Sequence, residues 1–325
     1  MTLFDLPGPT PGVCDDPELM LVHQHFMALD PSGARFAKVL RHTIDQLLDG
    51  ENTGRFDWDD LHKTEKTHAG TLVEINLLRE PEFKLASGED LDYLIEGLEV
   101  DCKFSQTEYG WMIPPEALGE ICLVVWADDR MGLWSAGLLR ADREKLTTSG
   151  NVTKRGNRDG KFRLTKQHHS MVTWLWHRKP LKENLLLHMD PFLRAKILAQ
   201  PSGQKKVNEL FRRVLRKQID RNVVRTLARQ YDYMARVRDD KQKTRARPAL
   251  REEGIIITGD STNHRAVAAA LGGPVPEKGE FVSFRVARAK PQHGNRPAAE
   301  IEGELWVAVR EDEMTDTPGP KLPTR

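Results

Sequence analysis

Residues 97–105 read GLEVDCKFS. In an extended chain successive side chains alternate, so Leu98, Val100, Cys102 and Phe104 share one face while Glu99, Asp101, Lys103 and Ser105 share the other. An acid and a lysine therefore stand two residues apart on one face. The ordinary reading is the solvated side of a half-buried strand. A sharper reading needs partners from elsewhere in the chain, and the flanking sequence offers them.

Just upstream, DYLIEG (92–97) reads as a short strand that turns back through Glu96-Gly97, and a hairpin of that length brings Asp92 near Asp101. Before it, TLVEINLL (71–78) sets Glu74 among Leu72, Val73, Ile75 and Leu77. The spacing predicts a helix over about Lys66 to Arg79, ended by Pro81. A carboxylate in such surroundings is costly unless charged partners or a metal compensate. Glu74, Asp92, Asp101 and Lys103 thus have the means to converge.

That set has a chemical use. Two carboxylates (Asp92 and Asp101), a backbone carbonyl such as that of Cys102, and water suit Mg²⁺, a hard ion that prefers an octahedral oxygen shell. Such an ion activates water and neutralises charge on a phosphate. Glu74 supports the ion through a bound water or a second metal, and Lys103 supplies fixed positive charge at the reacting phosphorus. Acid-x-Lys on one strand with an acid on its neighbour is the arrangement of the PD-(D/E)xK nucleases, although Leu91 rather than Pro precedes Asp92.

The surrounding pattern gives the fold class. ARFAKVLRHTIDQLLDG (34–50) carries apolar residues at helical spacing, with Gly50 as a stop. ICLVVWA (121–127) is apolar throughout and belongs in the middle of a sheet covered on both faces. GLWSAGLLR (132–140) is a further strand, and 142–161 reads as a long polar loop. Helices around a mixed central sheet predict an α/β (α+β) nuclease-like domain over 18–175, followed by a linker over 176–183.

A second α+β domain is expected over 184–310. Residues 205–219 and 221–238 each place apolar side chains on one helical stripe, with Asp220 as the cap of the second helix. GIIITGD (254–260), NHRAVAAALG (263–272) and strands over 280–288 and 299–309 follow. Between Lys205 and Arg251 there are sixteen Lys or Arg against five Asp or Glu, although the whole chain of 325 residues carries a net charge of only +1. A solvated helix face accounts for such a run on one helix. Two successive basic helices followed by wing-forming strands instead suggest a helix-turn-helix or winged-helix-like DNA-binding domain. On that reading Arg212, Arg213, Arg225, Arg229, Arg236 and Arg238 face double-stranded DNA, and KQKTRAR, with Lys241, Lys243, Arg245 and Arg247, follows the backbone.

Several classes are disfavoured. No apolar run approaches the ~20 residues of a membrane span, and the first residues lack the pattern of a secretory signal. Cys14, Cys102 and Cys122 form no C-x-x-C pair, so a reducing cytoplasm is expected. GNRDGKF (156–162) is not a phosphate-binding loop, so ATP-driven work is not expected. Residues 1–17 and 311–325 read as flexible ends.

With LHKTEKTHAGTLVEINL (61–77) followed by DYLIEGLEVDCKF (92–104), and with KENLLLH, VNELFRRV, EGIIITG and LGGPVPEKG in the same order further on, the chain resembles the NaeI family of type II restriction endonucleases over roughly 19–310. The resemblance implies a nuclease domain and a second domain like the DNA-binding part of the catabolite activator protein. It further implies a homodimer that uses Mg²⁺ to cut the palindrome GCCGGC to blunt ends, and that binds two copies of the site, one of them as effector. Matching positions give Glu74, Asp92, Asp101 and Lys103 as the catalytic set. Loops around 81–90 and 142–161 depart from the pattern. The rival readings are a non-catalytic DNA-binding regulator on a nuclease-like fold, and a repair nickase.

Overall fold

A computed structural model describes residues 15–148, 160–238 and 242–323. The chain forms two compact units. One takes the described residues up to Leu47 together with Trp58–Asn184; the other takes Leu48–Asp57 and the described residues from Leu185 onward.

The first unit is built on a six-stranded mixed sheet. Its order is Ala86–Ser87, Tyr93–Ile95, Leu98–Ser105, Ile121–Asp128, Leu133–Arg140, Thr173–Pro180. Leu98–Ser105 runs parallel to Ile121–Asp128, and every other neighbouring pair is antiparallel. Ile121–Asp128 is buried along its whole length except at Asp128, as a central strand with both faces covered must be. Cys122, Val124 and Trp126 pack with Tyr109, Trp111 and Phe162 in one cluster. Elsewhere in this unit Phe36, from the helix Ala34–Leu48, stacks on Trp134 at 5.3 Å, and Phe26 and Trp176 complete the aromatic group. Arg41 is buried between Asp45 and Asp129, and Asn184 also donates to Asp129.

Three expectations are corrected here. Residues 176–183 do not form a linker: Thr173–Pro180 is an edge strand paired along Leu133–Arg140, and Leu181 donates to the Gly132 carbonyl. The polar segment 142–161 opens with a helix, Arg143–Thr148, and most of its remainder lies outside the described residues. The helix Ala34–Leu48 ends before Gly50. Asp49 takes the left-handed conformation (φ 46°), and Gly50 starts the short helix Gly50–Thr53.

In the second unit the helices Pro191–Leu198, Gly203–Arg213, Arg221–Ala228 and Ala246–Arg251 pack with a sheet ordered Ile255–Thr258, Glu280–Arg288, Glu304–Ala308, Ala298–Ile301. The two-residue strand Ile219–Asp220 also pairs with the start of Glu280–Arg288. Asp220 caps the following helix by accepting from Asn222 N at 2.8 Å. Both long helices are shorter than their apolar stripes. The first stops at Arg213, after which Leu215 bridges to Ser283 and Arg216 takes φ 52°. The second stops at Ala228, where Arg229 turns left-handed (φ 48°), and helix resumes only at Ala235–Arg238. The segment 299–309 is a hairpin of two strands turned at Glu302-Gly303, both with positive φ.

The end of the chain is not loose as far as Pro323. Glu313 forms a two-pronged pair with Arg296, Asp316 accepts from Arg288 N at 2.7 Å, and Gly319 N donates to the Arg251 carbonyl. At the other end, Asp16 caps the helix Pro17–Leu29 and pairs with Arg140; residues 1–14 lie outside the described residues.

Candidate active site

A two-residue turn creates the site. Glu96 (φ 53°) and Gly97 (φ 80°) take the paired positive φ values that match a hairpin's twist. The register they fix sets Ile95 against Leu98, Leu94 against Glu99 and Tyr93 against Val100. One step further along that register, Asp92 stands opposite Asp101. The contacts agree: Asp92 Oδ2 accepts from Cys102 N at 2.7 Å.

Asp101 is 3% exposed, so its face of the strand is not solvated. An unpaired carboxylate at that depth would cost several kcal/mol. Lys103 Nζ answers it, donating to Asp101 Oδ1 at 2.6 Å and to the Cys102 carbonyl at 3.0 Å, with Asp92 Oδ2 at 3.6 Å. Burial pushes the Asp101 carboxyl up from the ordinary range, against the lowering effect of Lys103. For Lys103 burial acts downward, but the Asp101 hydrogen bond and the surrounding carboxylates outweigh it and raise the ammonium above its usual value.

Glu74 joins from the helix Lys63–Leu78. Its carboxyl is pushed up to about 7, first by burial and then by the charge of Asp92 and a hydrogen bond shared with it. The helix is fixed at this point by Tyr93, whose hydroxyl donates to the Glu74 carbonyl at 2.9 Å. The four side chains singled out in the sequence are thus brought together by one hairpin and one helix.

Oxygen atoms from Asp92, Asp101 and the Cys102 carbonyl all face the Lys103 ammonium, which stands in for a cation among hard oxygen donors. That donor chemistry fits Mg²⁺. Among the described residues no group of three or more carboxylate, imidazole or thiol side chains gathers to hold a metal unaided. The donor set therefore has to include the backbone carbonyl, water or substrate, and Lys103 must shift to admit an ion. Glu74, raised by burial and by Asp92, is the least ready of the three carboxylates to act as a direct ligand.

Sequence reading missed one residue that shapes this site. Glu99 does not face solvent freely; its carboxylate accepts from Glu89 N at 2.9 Å and from Leu91 N at 3.0 Å. It thereby ties down the loop that presents Asp92. Gly88 is required beside it, because a Cβ there would lie 2.3 Å from Glu99 Oε2 and 2.5 Å from the Leu91 carbonyl. The alternation of residues 97–105 puts Glu99 on the same face as Asp101, but nothing in the sequence announces that its partners are backbone amides.

The basic residues of the second unit divide. Arg245 is 7% exposed and bonds to Gln204, so it is not on a DNA-facing surface. Arg247 donates to the Ile257 carbonyl and contacts His264. Arg212 is held by both carboxylate oxygens of Glu253 and by Glu209. Arg229 donates to the Asn52 carbonyl at 2.8 Å. Each of these was expected to meet DNA, and each also braces the fold through a bond within its own unit. Arg213 and Lys243 are exposed, while Arg225, Arg236 and Arg238 are half-buried. Arg213 pairs with Glu209, Arg225 lies 3.8 Å from Glu51, and Arg236 lies 3.3 Å from Asp232. Lys241 lies outside the described residues. No helix among the described residues is long and apolar enough to cross a membrane.

Comparison with known proteins gives the family. The family model described as restriction endonuclease NaeI matches residues 20–316. The type II restriction enzyme NaeI of Lentzea aerocolonigenes is 48% identical over 312 residues, covering 93% of this chain and 94% of that one. A match that runs through both units and spans the acid-lysine hairpin places the chain in the NaeI family of type II restriction endonucleases, which are site-specific deoxyribonucleases.

Proposed function

We propose that the chain cuts duplex DNA with Mg²⁺ at the hairpin site, and that Glu74, Asp92, Asp101 and Lys103 carry the reaction. The observation that supports this most is the convergence of Asp101 Oδ1, the Cys102 carbonyl and Asp92 Oδ2 on a single cationic atom, Lys103 Nζ. Asp92, Asp101 and the Cys102 carbonyl would hold the ion, which when bound supplies Lewis acidity toward water and the phosphate oxygens. Asp101, buried and fixed by the sheet, needs little reorganisation to hold its place in the site. Lys103, released from Asp101, donates to a non-bridging phosphate oxygen as charge builds there. The Glu74 carboxyl, titrating near neutrality, can take up a proton from the attacking water.

The target is proposed to be GCCGGC, cut to blunt ends by a homodimer, since a palindrome matches a two-fold protein assembly. The second unit would take a second copy of the site. Its order of helix, short strand, three helices, strand, helix and strand, with Ile219–Asp220 and Ile255–Thr258 both pairing with Glu280–Arg288, favours a winged-helix-like DNA-binding fold. Arg213, Arg225, Arg236 and Lys243 are the phosphate contacts this reading retains.

Digesting a sequenced plasmid with the protein and Mg²⁺, then sequencing the ends, tests the reading. Blunt ends at GCCGGC are expected, with cleavage lost on chelation. Persistent binding without cleavage on a plasmid bearing two sites would overturn it.

A further inference from the structure

Within the second unit a cavity of about 520 Å³ opens beside the strand Ile255–Thr258, the outermost strand of its sheet. No part of the cleavage chemistry uses it. Its wall carries four cations, Arg238, Arg247, Arg251 and Lys321, against one carboxylate, Asp260, with the Glu252 carboxylate 3.9 Å from Arg251 just outside it. Asp260 already accepts from Gly279 N at 2.9 Å. His264 is engaged at both ring nitrogens. Its Nδ1 contacts Arg247 Nη2 and accepts from Gly259 N, so its Nε2 bears the proton donated to the Pro323 carbonyl at 3.1 Å.

Two donors in this wall lack partners. Arg251 Nε and Ser261 Oγ are shielded from solvent, and neither has a hydrogen-bond partner among the described atoms. Leaving a buried donor unpaired costs about 1–3 kcal/mol, and a small rotation of either side chain would offer its donor to acceptor oxygens in the cavity. Ser261 is also the residue before the nine-residue helix Thr262–Ala270, and it makes no capping bond to that helix. The positive end of the helix dipole adds to the guanidinium groups.

The rest of the lining is apolar. Pro248 stands on one side; Pro320, Leu322 and Pro323, from the segment expected to be loose, form another wall. Guanidinium groups match a phosphoryl group in both charge and fork geometry. A volume of about 520 Å³ exceeds what a bare anion needs and falls in the usual range for small organic ligands. We propose that this cavity binds a mononucleotide, with the phosphoryl group toward Arg251 and Ser261 and the base against the proline-leucine wall. The nucleotide is either free or the phosphorylated end of a DNA strand. This assignment stands apart from the cleavage site and does not depend on its chemistry.

Calorimetric titration of the full chain in chelator, with deoxyguanosine monophosphate, deoxyguanosine and inorganic phosphate, tests it. The nucleotide should bind roughly tenfold or more tightly than either of its parts. Arg251→Gln should weaken nucleotide binding by about tenfold, as loss of a charge-assisted bond implies. Ser261→Ala, which removes one oxygen, should weaken it a few-fold and decides the matter should Arg251→Gln fail to fold. A short single strand bearing a 5′-phosphate, compared with the same strand lacking it, separates the two sources: competition by the phosphorylated strand alone assigns a strand end, and no competition by either assigns the free nucleotide. Equal binding of nucleotide and nucleoside, or nucleotide binding unchanged in both variants, would overturn the proposal.

Discussion

The two units handle charge in opposite ways. In the first, four ionisable side chains from one hairpin and one helix press against each other and against backbone, with Asp101 almost wholly buried. Their energies are coupled: burial raises Glu74 and Asp101, and the ammonium of Lys103 holds the cluster together. In the second, an excess of arginine is dispersed into separate tasks, a cap contact at Arg229, a buried brace at Arg245, and a two-pronged pair at Arg212. Concentrated, mutually dependent charge marks chemistry. Dispersed charge tied to backbone or buried partners marks architecture, while exposed groups such as Arg213 stay available to a ligand.

Substitutions should separate these two regimes. Lys103→Ala should have the largest effect, lowering the cleavage rate by on the order of 10²–10⁴ while DNA binding, read by gel shift, persists. Glu99→Ala should follow, because it releases the loop before Asp92; misplacement of a reacting group by about 1 Å costs roughly 10²-fold. Its slow rate should come with unchanged thermal stability to within about 1 kcal/mol, as expected of a partly exposed positioning residue near the start of its strand.

In the second unit the losses should move from rate to stability. Arg245→Ala should destabilise the fold by about 1–3 kcal/mol, measured by denaturant titration, since it strips partners from Gln204 and Asp232 and opens a void. Arg213→Ala should leave stability within about 0.5 kcal/mol. It should instead reduce the salt dependence of DNA binding by about one counterion. If Arg213→Ala were the more destabilising of the two, the division of this unit into braces and contacts would fail.

The smallest effect is one of pH. A carboxyl raised in the folded state binds its proton more tightly there than in the unfolded chain. Stability from Glu74 is therefore present below the ordinary carboxylate range and lost as pH rises toward about 7. In chelator, the thermal midpoint should fall over that interval, and Glu74→Gln should flatten the fall. An unchanged slope in the variant would mean that Glu74 is not perturbed in the folded protein.

The contrast also explains what was legible in the sequence. The hairpin carried its own instructions: two turn residues fix the register, the register pairs Asp92 with Asp101, and alternation adds Lys103. All of that is local. Glu74 was visible because a carboxylate inside an apolar helix needs a reason. The second unit was read from its charge count, and a count carries no direction. Nothing local says that Arg245 turns inward, or that Arg229 ends a helix whose apolar stripe continues past it. The strand Thr173–Pro180 was hidden because its last residues, HisArgLysPro, are those of an exposed edge, which composition alone does not separate from a linker. The ordered tail escaped for a similar reason: its polar residues bond to distant backbone and side-chain partners in the same unit rather than to water.

The central claim is that the Asp92–Asp101–Lys103 hairpin is where DNA is cut. Its most direct test compares the intact protein with Asp101→Ala on one plasmid in Mg²⁺, following binding by gel shift and cleavage by end sequencing. The account predicts that the variant still binds the plasmid and leaves it uncut. Cleavage by Asp101→Ala at the rate of the intact protein would contradict it.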